Sequence, residues 1–212
     1  MTRLTHLLTV IPLSLLFVGC HTDTRPFVQP VVILSEDSYT HAGSGMRFPI
    51  VAGELRRSVI LQLDREGLEI GAEYALPSPP GMLSASVYVY PAIAVPPVGA
   101  PPGTISGNGA LLAKNEFEKR KLMVLSSHPG MRIINESNVA ATTWGYPRNG
   151  MVAMFEHEDT STGQLLRTDL WVYPFFSRNW ALRYVITYSK NDEATARSTD
   201  FMKAVPLNVP SE

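Results

Sequence analysis

Residues 180–188 read Trp-Ala-Leu-Arg-Tyr-Val-Ile-Thr-Tyr, and this stretch constrains the fold more than any other. Trp180, Leu182, Tyr184, Ile186 and Tyr188 alternate with Ala181, Arg183, Val185 and Thr187. In an extended backbone that period of two puts five large side chains on one face. A strand with such a face needs a sheet around it and a second layer to cover it.

The remaining segments supply both. Residues 58–63 and 68–74, joined by Asp64-Arg65-Glu66-Gly67, predict a hairpin, and 84–90 predicts a strand carrying Tyr88 and Tyr90 on one face. A further strand is expected at 131–138 and the start of another at 141–144. Residues 150–158 and 165–173 pair across the turn 159–163, with Leu166, Thr168, Leu170 and Val172 facing one way. Two helices are expected. In 111–127, Ala113, Phe117 and Val124 form a stripe, while Glu116, Glu118, Lys119 and Arg120 supply the wet side; Pro129-Gly130 ends it. The charge run 118–121 is then that solvated face. In 191–204, Asn191 is the N-cap, Asp192 and Glu193 suit the positive end of the dipole, and Ala194, Ser198, Phe201 and Val205 form the buried stripe before Pro206. Strands, a helix, more strands and a final helix predict an α+β fold: an antiparallel β-sheet with two principal helices packed against it, preceded by a signal peptide and a flexible tether.

Composition narrows the class. The chain has 212 residues, 45% hydrophobic, with 18 Lys+Arg against 19 Asp+Glu. That apolar content is ordinary for a folded domain, and the length suits one domain. A net charge of −1 leaves no cationic excess for a phosphate backbone, so nucleic acid is not an expected partner.

There is one cysteine, Cys20, so no internal disulfide is available. It follows a short start bearing Arg3 and a run, residues 7–18, in which nine of twelve residues are strongly apolar and none is charged. A cationic start, an apolar run of this length and a small residue before the cut describe a secretory signal; the run is shorter than the ~20 residues a membrane span needs. Phe17-Val18-Gly19-Cys20 resembles the lipobox of bacterial lipoproteins, with Phe17 where Leu is commoner. The resemblance implies cleavage before Cys20, a diacylglyceryl thioether on its sulfur and acylation of the new amine. At about 0.8 kcal/mol per buried methylene, two or three chains make a stable anchor. His21 stands where enterobacterial lipoproteins retained in the inner membrane carry Asp. The resemblance therefore implies the periplasmic face of the outer membrane in a Gram-negative envelope.

The expected organisation is a lipoprotein signal peptide at 1–19, a lipidated N-terminus and tether at 20–45, one α+β domain at 46–206, and a tail at 207–212. Within 20–45, residues 31–34 are apolar enough for an added edge strand, and Gly43-Ser44-Gly45 marks the domain entry. Residues 77–102 hold eight of the seventeen prolines. The excursion 91–103 suits either a stiff connector or a polyproline docking loop, the connector being the default. Over residues 47–205 the element order resembles the PsbP/Mog1-like domains, where a central antiparallel sheet carries helices and the chain ends in a helix.

Chemistry is sparse. Glu156-His157-Glu158-Asp159 is the densest cluster, yet on a strand Glu156 and Glu158 share one face and His157 takes the other; His128 or His41 would have to join by folding. No metal or other cofactor is expected. Gly107-Asn108-Gly109 lacks the third glycine and the preceding strand of a dinucleotide loop. Ser126-Ser127-His128 fits a helix terminus better than a nucleophile with its base. Asn135-Glu136-Ser137 is a glycosylation sequon that carries no weight in a bacterial lipoprotein. Tyr173, Phe175, Phe176 and Trp180 bracket a loop with Pro174 and Arg178. Core packing is their default, and Phe175, Phe176 and Trp180 are the candidate binding residues if the loop is a surface. The expectation is a membrane-anchored, non-enzymatic envelope lipoprotein whose domain binds a protein partner or supports an assembly. The alternatives are an envelope hydrolase using His157, Glu156 and Glu158, and a carrier of a small apolar ligand.

Overall fold

A computed structural model describes residues 29–76, 82–92, 107–140, 149–177 and 180–205. In chain order these form β1 (Val31–Val32), β2 (Tyr39–Thr40), β3 (Arg47–Phe48), β4 (Val51–Ala52), β5 (Leu55–Gln62), β6 (Ile70–Ala75) and β7 (Leu83–Pro91). Then follow α1 (Gly107–Ser127), β8 (Arg132–Ala140), β9 (Asn149–Glu158), β10 (Leu165–Ser177), β11 (Trp180–Ser189) and α2 (Asp192–Ala204). The signal peptide, Cys20, most of the proline-rich excursion, the strand expected at 141–144 and the C-terminal tail lie outside the described residues.

The architecture is α+β. Nine strands form one sheet in the order β1-β5-β6-β7-β11-β10-β9-β8, with β4 beside β1 on the same edge of β5, and every pairing in it is antiparallel. The period-two strand sits near the centre. β11 pairs with β7 from Trp180↔Pro91 to Tyr188↔Leu83, and with β10 from Leu166↔Ser189 to Tyr173↔Leu182.

The two helices cover opposite faces. Leu170 and Val172 of β10 pack with Phe117 of α1, Ala153 and Phe155. Tyr173, of opposite parity, joins the larger core, which holds Leu182, Tyr184, Ile186 and Tyr188 with Phe201, Met202 and Val205 from the α2 end. Phe201 is fully buried and meets Tyr74 edge-on at 5.2 Å between centroids. α2 starts as its sequence dictates: Asn191 Oδ1 accepts from the Ala194 N–H at 2.8 Å, and Ala194, Ser198, Phe201 and Val205 are all buried.

Three details depart from the sequence reading. α1 begins at Gly107, one turn before 111. The charge run 118–121 is not simply a wet face. Arg120 pairs with Glu116 and Glu69, and Lys121 holds Glu118 at 2.6 Å and Glu136 at 2.9 Å, so both cations lie largely buried between helix and sheet. Helical spacing located the apolar stripe but not the carboxylates that strands bring to its border. The segment from residue 29 up to residue 45, expected mainly as tether, is seated on the domain, and within it residues 31–34 do supply the added edge strand that the sequence allowed. β1 pairs with β5, and the Ile33 N–H donates to the Ile60 carbonyl at 2.9 Å. His41, 2% exposed, donates through Nε2 to the Gly67 carbonyl at 3.0 Å and accepts at Nδ1 from the Ser44 N–H and hydroxyl.

Candidate functional site

The residues singled out for binding fall around one corner. β10 does not stop at Tyr173 but runs through Pro174 to Ser177, with a register break between Tyr173 and Ser177 before Ser177 pairs with Trp180. An irregularity is where a strand tolerates proline, which has no N–H for the ladder. The aromatic group expected to bracket a loop is thus mostly strand. Phe175 and Phe176 lie on that strand, and their side chains are outside the described set. Trp180 is partly buried: its ring meets His41 edge-on at 4.8 Å and lies against Gly43. Tyr173 is buried in the larger core.

The acid cluster divides as its alternation predicts. Glu156 faces away from α1. It accepts from Lys190 Nζ at 2.6 Å and Arg132 Nη2 at 3.1 Å, and the Lys190 hydrogen bond, followed by the charges of Lys190, Arg132 and Arg167, holds its carboxyl below the usual range. Asp159 caps the 159–163 turn, accepting from the Ser161 N–H at 3.0 Å and the Thr162 hydroxyl at 2.7 Å. His157 faces α1, where folding does bring a second imidazole. His128, just beyond the helix, stacks on it at 4.3 Å between centroids with a 32° tilt. Burial, with His128 beside it, pushes His157 below its ordinary pKa, and its Nδ1 is sealed without a partner.

The histidine pair does not assemble hydrolytic chemistry. The Ser127 hydroxyl donates to the Val124 carbonyl at 2.6 Å, so the 2.8 Å contact with His128 Nδ1 is completed by a proton on the ring. No base takes the serine proton, and Glu156 is across the sheet from both rings. Among the described residues no group of three or more His, Cys, Asp or Glu could hold a metal ion.

At the other end of α1 lies an open cleft of ≈ 680 Å³. Ala113, Lys114, Phe117 and Glu118 form its helical wall; Glu136, Ser137, Asn138 and Val139 of β8, Asn149, Gly150 and Met151 of β9, and Pro174 complete it. Gly150 is required there: a Cβ would stand 2.7 Å from the Tyr173 ring and 3.0 Å from the Val172 carbonyl. The lining mixes an apolar floor with a charged and amide rim. β8, its outer wall, ends the sheet, and its side chains from Ile133 to Asn138 are exposed, with Ile133 and Ile134 at 38% and 39%.

Sequence reasoning missed one further group. Tyr88 of β7 lies opposite Arg183 of β11 on the α1 face, and the Arg183 guanidinium stacks over its ring at 3.9 Å from the centroid. Arg120 lies over Tyr90 at 5.1 Å. The alternation in β7 and β11 marked these positions as one face, but only the pairing across more than ninety residues shows they meet. Neither a protein-family model nor a curated protein sequence matches this chain.

Proposed function

We propose that this protein is a lipid-anchored envelope lipoprotein whose α+β domain serves as a protein-interaction module, receiving a partner strand along β8. Cys20 is the point of attachment, and the domain works on the periplasmic side of the outer membrane where the envelope is Gram-negative. The observation that carries the module reading is the edge: β8 is nine residues long, exposed from Arg132 to Asn138, and has no strand on its outer side among the described residues. An unpaired strand offers a row of backbone donors and acceptors, the template for recognition by strand addition. The cleft between β8 and α1 supplies adjacent space for side chains of an added strand. Its open, mixed lining suits a peptide better than a sealed apolar ligand. Among the described residues no helix is long and apolar enough to cross a membrane, and an acylated Cys20 would supply the attachment.

Two measurements test the reading. Cys20→Ser is expected to abolish fatty-acid labelling in cells, and persistent label would remove the anchor. A photo-crosslinking residue at Ser137 is expected to give a reproducible protein adduct of defined mass in intact cells, absent when the same group replaces Asp200 on the outer face of α2. Equal labelling from both positions would remove the β8 module.

A further inference from the structure

We infer that the end of the sheet formed by β1, β4 and β5 rests on the bilayer that holds Cys20, with Val32, Leu34 and Val51 as the contact. This rests on the anchor reading of Cys20 and is independent of the β8 module. Register fixes the face. Val32 lies opposite Leu61 and Val51 opposite Arg56, whereas their chain neighbours Ile33 and Ala52 turn toward the larger core. Leu34, next after Ile33, returns to the side of Val32. All three therefore point to the α1 side of the sheet, along the outer edge of β5. The apolar cluster beneath α1 draws on β9, β10 and β11, away from β1 and β4, so the helix leaves this end bare. Leu34 is 92% exposed, and Val32 and Val51 are 54% exposed each. Apolar side chains grouped on a surface in this way mark a contact with a partner or a membrane.

The chain that precedes these residues says what covers them. Val31 already pairs with Gln62 in the sheet, and it stands eleven positions after Cys20. At no more than about 3.6 Å per residue, the anchored sulfur lies within about 40 Å of β1. The domain does not hang from a long leash, and β1 is the part of the fold nearest the bilayer along the chain. Tethering at that range raises the effective concentration of the lipid surface, so a contact too weak to hold by itself becomes populated. The bordering charges name the kind of contact. Arg56 stands opposite Val51, while Glu36 and Asp37 follow Leu34, so both signs rim the patch. The contact is shallow apolar insertion at the headgroup boundary, not attraction to anionic lipid. It also gives the domain an orientation. β1 and β8 lie at opposite ends of the sheet, seven strand spacings apart, or about 34 Å at roughly 4.8 Å each. Seating β1 on the bilayer turns the β8 edge away from it.

The test places a benzophenone photo-crosslinking residue at Leu34 in the full chain, produced with its own leader, extracted in detergent and reconstituted into phosphatidylcholine vesicles that carry a tritiated phospholipid. The same residue at Ile134, an exposed apolar position on β8, is the control. The Leu34 side chain is almost wholly exposed, so its replacement does not put folding at stake. The expected result is a radiolabelled lipid adduct from position 34 about ten-fold above that from position 134, unchanged at high salt. Val32→Ser with Val51→Ser lowers the adduct at 34 about ten-fold while the protein still floats with the vesicles, because two valine side chains leave the apolar contact. Flotation and the mass of the N-terminal peptide read the anchor separately. Equal adducts at 34 and 134, a dimer of the chain in place of the lipid adduct, or an adduct unmoved by the double substitution overturns the contact and leaves the anchor standing. A chain that carries no acyl group and stays with the solvent overturns both.

Discussion

Replacing Gly43 with alanine tests whether the segment before Arg47 is part of the folded domain, and the structure predicts a sign that depends on a second residue. A Cβ at 43 would stand 2.6 and 2.8 Å from Trp180 Cζ2 and Cη2, and 3.1 Å from His41 Cε1. Real Cβ contacts do not come that close, so the Trp180 ring must move off its seat. Moving it disturbs the edge contact with His41, which is itself fixed at both ring nitrogens. Overpacking of this kind costs about 1–3 kcal/mol. Against it stands a gain of about 0.4–1 kcal/mol from stiffening the unfolded chain, available because the backbone at 43 is not left-handed. The net expectation is a loss of about 1–2 kcal/mol, or roughly 2–8 °C in midpoint for a chain of this size. In a Trp180→Leu background the obstructing ring is gone, and Gly43→Ala should become neutral or stabilising by up to about 1 kcal/mol. Urea unfolding of the four proteins gives the coupling directly, expected near 2 kcal/mol. The same change in stability from Gly43→Ala in both backgrounds would show that the ring does not rest there.

Two further expectations follow from buried polar groups. Burial holds both His41 and His157 below their ordinary pKa, so the unfolded chain takes up protons first; their stability contribution should be complete above about pH 6.5 and fall as pH drops through the lowered folded values. Urea unfolding between pH 7.5 and 5 checks this, and a flat profile that His157→Asn leaves unaltered would contradict it. The Tyr188 hydroxyl donates to Asp169 Oδ2 at 2.9 Å in the core, with Arg167 on the other oxygen at 3.1 Å; Tyr188→Phe should cost about 2 kcal/mol by leaving a buried carboxylate oxygen unpaired. An equilibrium loss below about 0.5 kcal/mol would mean water replaces the phenol.

The alternation in β11 and the capped stripe of α2 were legible because each is a local pattern with one solution. Leu182, Tyr184, Ile186 and Tyr188 are buried together, and so are Ala194, Ser198, Phe201 and Val205. The order of the sheet was not legible. β7 and β11 are neighbours across a helix and three strands, and no local spacing encodes that choice. Gly43-Ser44-Gly45 illustrates the same limit at smaller scale. Small residues between polar ones suggest a linker, but they also suit a close approach by a large ring, and only the position of Trp180 decides between them.

The site was harder to see for a related physical reason. A period of two says which residues share a face, but not whether that face is wet, because wetness depends on what the other layer brings. On β11 the face opposite the large apolar set holds Arg183, which a sequence assigns to solvent, yet α1 and Tyr88 bury it. The apolar residues of α1 located its stripe correctly, while Glu116, Arg120 and Lys121 at the stripe's border became the polar contacts between layers. Charged residues beside an apolar stripe are therefore where a strand-and-helix sandwich hides its chemistry. Each must find its counter-charge within the interface, and Arg120 and Lys121 do. Arg183 rests instead on the face of Tyr88, 3.9 Å from the ring centroid, beside Arg120 and the Glu69 and Glu116 carboxylates that Arg120 engages.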